Sequence, residues 1–112
     1  AKADAWYSMG VLCWRRLNNR PDVAGLDRVR VADEGLYALL QADRLRGEHA
    51  PTLTYTNLLY RERSLASEVA IARAVELATA QFFYRRATEL AKAAQAAVAP
   101  TPGVAVPAQA RP

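Results

Sequence analysis

The chain has 112 residues, 52% of them hydrophobic, with a net charge of +4 and one cysteine. That length allows a single domain with its own core. One cysteine excludes an internal disulfide, and one histidine, His49, leaves too few nitrogen and sulfur ligands for a structural zinc site.

Alanine inflates the hydrophobic share and buries little area, but an alanine-rich, glycine-poor chain favours helix. The basic residues are almost all arginine, with only Lys2 and Lys92 as lysines, a bias read as GC-rich, bacterial coding. The uncharged run 5–14 is too short to span a bilayer and is closed by Arg15 and Arg16. No secretory apolar region is visible in the sequence. The compartment is not legible.

The first helix is expected over 3–17. Asp4 near its start and Arg15 and Arg16 at its end both suit the helix dipole. Trp6, Met9, Gly10, Cys13, Trp14 and Leu17 recur at three- and four-residue spacing and form one stripe. Asn18, Asn19, Pro21 and Gly25 mark a loop.

A second helix is expected from Asp27 as N-cap, with Val29, Ala32, Leu36 and Leu39 in period and Gly47 as its left-handed stop. Pro51 suits the first turn of a third helix carrying Leu53, Thr56 and Tyr60. No glycine or proline occurs over 52–99, so composition alone permits one long helix. Ser64 to Ser67 are the expected break. A fourth helix over about 68–96 then places Val69, Ala72, Val75, Ala80, Phe83, Tyr84, Ala87, Leu90, Ala91 and Ala94 near one face. The tail, 99–112, is Pro/Ala-rich and is expected to be extended.

A spaced pattern occurs twice. Trp6-x-x-Met9-Gly10-x-x-Cys13 is followed by Gly35-x-x-x-Leu39-x-x-Ala42, and Leu53-x-x-Thr56-Asn57-x-x-Tyr60 by Ala80-x-x-x-Tyr84-x-x-Ala87. This resembles the tetratricopeptide repeat, a helix-turn-helix unit with a W-x-x-L-G-x-x-Y opening and an A-x-x-x-F-x-x-A second helix. Equivalent positions recur after 45 to 47 residues (35 to 80, 6 to 53) rather than about 34, which overlaps HEAT and armadillo lengths. The resemblance implies an all-α fold of about four helices in two stacked antiparallel hairpins, units 3–47 and 50–97 of a domain over 1–98. It also implies a non-catalytic scaffold that binds other protein subunits, without a cofactor. Peripheral attachment to a membrane complex is compatible with it.

Small residues at Gly10, Gly35 and Ala42 are expected to let neighbouring helices approach. Leucine at Gly35 would overpack, and alanine there is expected to be neutral or stabilising if the backbone is helical. Trp6 and Tyr60 are expected in the core. Adjacent aromatics face different directions on a helix, so Tyr7, Trp14 and Phe82, with Arg85 and the tail residues Val104 and Val106, are the expected partner contacts.

Enzyme readings are weak. Cys13 on the apolar stripe reads as a buried structural thiol, and only His49 is available as its base. Glu62, Glu76 and Glu89 read as solvated partners of nearby arginines. A basic helical nucleic-acid-binding module is the alternative, although acidic residues interleave the arginines.

Overall fold

The structure is a computed structural model, and it describes residues 1–98. The expected contacts at Val104 and Val106 and the extended tail lie outside the described residues. Among the described residues the fold is all-α, with four helices and no strand.

Helix α1 spans Lys2–Leu17, α2 Gly25–Leu45, α3 Ala50–Ser64 and α4 Ala70–Ala97. Each packs on the next in the chain, and α3 also touches α1. Helix α3 therefore contacts all three others, whereas α4 contacts only α3.

The breaks fall where turn chemistry places them. Pro51 lies in the first turn of α3, and Ser64 closes that helix before α4 begins. Two expected caps are corrected. Asp27 sits inside the first turn of α2, and the cap position is Ala24, without a side-chain bond. The left-handed residue after α2 is Glu48, at φ 58°, and Gly47 has no positive φ. At the head of α2, Gly25 adopts φ 59°, a geometry that costs a side-chain-bearing residue about 1–2 kcal/mol.

The core is small. Cys13, Leu17, Val31, Ala32, Leu39 and Leu59 form it, with Tyr7, Trp14, Val23, Leu36 and Tyr55 packed against its edge. Leu53, Ala80 and Ala87 are buried as expected. Trp6 and Tyr60 are only half-buried. Trp6 meets Tyr37 edge-on at 5.8 Å between centroids, and Tyr60 stacks on Phe83 at 5.8 Å. Met9 and Tyr84 are half exposed, each at 50%. Both lie at the margin of their stripes, where the neighbouring helix covers them only in part. On α4 the expected face is corrected further: Val69, Ala72, Val75, Ala91 and Ala94 are exposed. Its buried residues are Glu76, Ala80 and Ala87.

The close-packing glycines are where they were expected, with one corrected consequence. A β-carbon on Gly10 would overlap the Leu39 side chain, and one on Gly35 would lie 2.6 Å from Leu59 Cδ1 and 2.8 Å from Cys13 Cβ. Leu59 is wholly buried and Cys13 nearly so, so neither yields without moving a helix. Alanine at Gly35 is therefore destabilising rather than neutral. We expect Gly35→Ala to lose about 1–3 kcal/mol, while Gly47→Ala, whose β-carbon meets only Asp43 O at 3.8 Å, loses none. Urea melts of the two variants decide it, and equal midpoints would remove the close-packing account.

Candidate interaction surfaces

The polar skeleton comes first, because it positions both surfaces. Arg28 is 5% exposed. Its guanidinium donates from Nε to Val23 O at 2.7 Å and from NH2 to Arg20 O at 2.6 Å and Leu17 O at 3.4 Å. Its NH1 donates to Glu62 Oε1 at 2.5 Å. One side chain thus ties the loop between α1 and α2 to α3. The next residue of α3, Arg63, donates to Asp33 of α2 at 2.9 Å and pairs with Glu76 of α4. Glu62 and Glu76 are thus interior ion pairs, not the solvated positions expected. Burial pushes the Glu62 carboxyl above its usual range, although Arg28 pulls the other way.

A second cluster fixes the start of α1. Arg46 donates to Asp4 at 2.5 Å and approaches His49 Nδ1 at 3.4 Å. His49 also meets Thr52 Oγ1 at 2.8 Å and the Tyr7 ring edge-on at 5.4 Å. Tyr7 and Trp14 both pack edge-on against Tyr55, at 5.8 and 5.5 Å. These two expected partner contacts are therefore half-buried in an aromatic row between α1 and α3. Cys13 is buried in the apolar core, and that burial raises its thiol pKa.

Exposed apolar residues group into two surfaces, with others such as Leu12 and Leu65 scattered singly. The first is an open groove of about 810 Å³ lined by Trp6, Met9 and Cys13 of α1 and by Leu26, Val29 and Tyr37 of α2. Arg30, Asp33 and Glu34 complete its lining. Sequence periodicity placed Met9 in the core and did not single out Leu26, because one turn of exposed leucine carries no pattern. The second surface is the outer side of α4. There Ile71, Val75, Ala78 and Phe82 recur at helical spacing, followed by Arg85. Phe82 and Arg85, two expected partner contacts, do share this face.

Among the described residues no cluster of three metal-ligating side chains occurs, and no helix is long and apolar enough to cross a membrane. No family model matches the chain, and no curated protein or solved structure matches it.

Two expected outcomes follow from the polar skeleton. Glu62→Leu leaves Arg28 as an uncompensated buried cation and should cost about 3–5 kcal/mol. A denaturant midpoint unchanged from the parent would show that Arg28 is satisfied by the loop carbonyls alone.

The second concerns His49. Its pKa is lowered by burial first and Arg46 second. The unfolded chain therefore takes up the proton before the folded one, so stability is present above the ordinary imidazole value of about 6.5 and falls as pH drops below it. Glu62, with its raised pKa, contributes in the opposite sense. Melting temperature should fall from pH 7.5 to about 5.5, and His49→Gln should flatten that fall. An equally steep fall in the variant would assign it elsewhere.

Proposed function

We propose that this chain is a non-catalytic helical scaffold of tetratricopeptide-like build that docks on protein partners as an accessory structural subunit of a larger assembly. The observation that carries the reading is the amount of large apolar side chain left uncovered. Met9, Leu26, Tyr37, Ile71, Val75 and Phe82 are all exposed, on two separate surfaces. Scattered exposed leucines are ordinary, but contiguous apolar grooves with a charged rim mark interaction sites.

The arginines support the same reading. Arg16, Arg20, Arg28, Arg30, Arg46 and Arg63 each face a carboxylate within 4.0 Å. Each of these guanidiniums faces a carboxylate, so they do not form the unopposed basic face that a nucleic-acid interface needs.

The test places a photo-crosslinking residue at Leu26, in the groove, in the native host. A discrete protein adduct that disappears when Met9→Glu is added supports docking there. Recovery of nucleic acid instead, with affinity falling steeply in salt, would replace this reading with the basic-module one.

A further inference from the structure

The outer stripe of α4 and the α3-facing stripe are on opposite sides of the same helix. At 100° per residue, Ile71, Val75, Ala78 and Phe82 fall within about 40° of one direction. Glu76, Ala80 and Ala87, buried against α3, centre on the direction opposite. Ile71 is 73% exposed, Val75 59% and Phe82 57%. A helix apolar on two opposite sides is the pattern of a helix packed on both, yet α4 has one neighbour here.

We infer that the outer face of α4 is covered by α4 of a second copy of this chain, antiparallel across a two-fold axis near Ala78. This rests on the scaffold reading and names the occupant of one of its two surfaces.

Three features select a second copy. The stripe is self-complementary by size: antiparallel pairing about Ala78 brings the two Ala78 residues together at the crossing and sets Phe82 level with the small Ala74 of the other copy, beside its Val75. It is also asymmetric in charge in the way a two-fold needs. Glu68 precedes its N-terminal end, while Arg85 and Arg86 lie at the other end, offset only by Glu89. The two-fold brings Arg85 level with Ile71 of the other copy, three residues along the chain from Glu68, which precedes the helix. Neither Glu68 nor Arg85 or Arg86 has an ionic partner within the described residues. Finally, a two-fold contact closes on itself, so it leaves the α1/α2 groove free for a different partner.

The experiment is sedimentation equilibrium on the full chain, with circular dichroism to confirm that each variant folds. The parent should be dimeric. Val75→Glu should raise the dimer Kd on the order of 100-fold. Arg85→Glu and Glu68→Arg should each weaken the dimer about tenfold, and the double swap should return Kd to within about twofold of the parent. Leu26→Glu, in the groove, should leave the dimer intact. A parent that stays monomeric, or a dimer untouched by Val75→Glu, overturns the inference. In that case a groove adduct at Leu26 still upholds the scaffold reading. A dimer with this mutational pattern but no groove adduct upholds the inference and removes that reading.

Discussion

The buried Arg28–Glu62 pair is the constraint on which the rest of the arrangement depends. A guanidinium that is almost wholly buried has lost its water and is tolerable only if its N–H groups are met. Here the carbonyl of the last residue of α1, two carbonyls of the α1–α2 loop and one carboxylate of α3 meet them. That requirement fixes three things together: the path of the loop, the angle at which α2 leaves it, and the height of α3 on α2. Lysine has one point charge and cannot span four acceptors spread around a plane.

With α3 held at that height, the close packing becomes possible. Leu59 drops into the space over Gly35 and Cys13, and Leu39 into the space over Gly10. A buried ion pair contributes little net stability against an apolar substitute of equal volume. Its role here is positional, since one side chain joins the α1–α2 loop to α3. Arg63, adjacent to Glu62, repeats the device toward α2 and α4 with opposite charge.

Helix α3 shows why part of this architecture was hidden from the sequence. Helix positions, the break after Ser64, Pro51 at a helix start and the close-packing glycines were all legible, because turn residues and small-residue spacing act locally. The core of α3 was not. Its buried face includes the polar residues Thr52, Thr56, Asn57 and Ser64, of which only Thr56 falls on the helix's periodic stripe. Thr56 and Ser64 donate to carbonyls of their own helix at 2.8 and 2.6 Å, and Asn57 accepts from Arg61 at 2.7 Å. A hydroxyl satisfied within its own turn can be buried among neighbours on every side, and periodicity cannot see that. Arg28 was hidden for the same reason: charge alone reads as surface, and only the loop's path reveals its four acceptors. On α4 the error ran the other way. Alanine and valine in period suggested one buried face, but Val75 lies on the side away from α3, and only Glu76, Ala80 and Ala87 are buried.

A mismatch in length is what links the fold to its open surfaces. Helix α4 has 28 residues and α3 has 15, so at 1.5 Å per residue they run about 42 and 22 Å. Roughly half of α4 therefore has no helix beside it, whatever its sequence. An isolated helix is held mainly by tertiary packing of its apolar face, and alanine supplies propensity but little area. Alanine dominates the last turns of α4, where propensity alone suffices. The large apolar residues Ile71, Val75 and Phe82 are instead placed in its first half, on the side away from α3. Propensity would have been served as well by alanine at those three positions. Large side chains there contribute only if another surface covers them, so the distribution of residue size along α4 is itself the argument that its outer face is an interface.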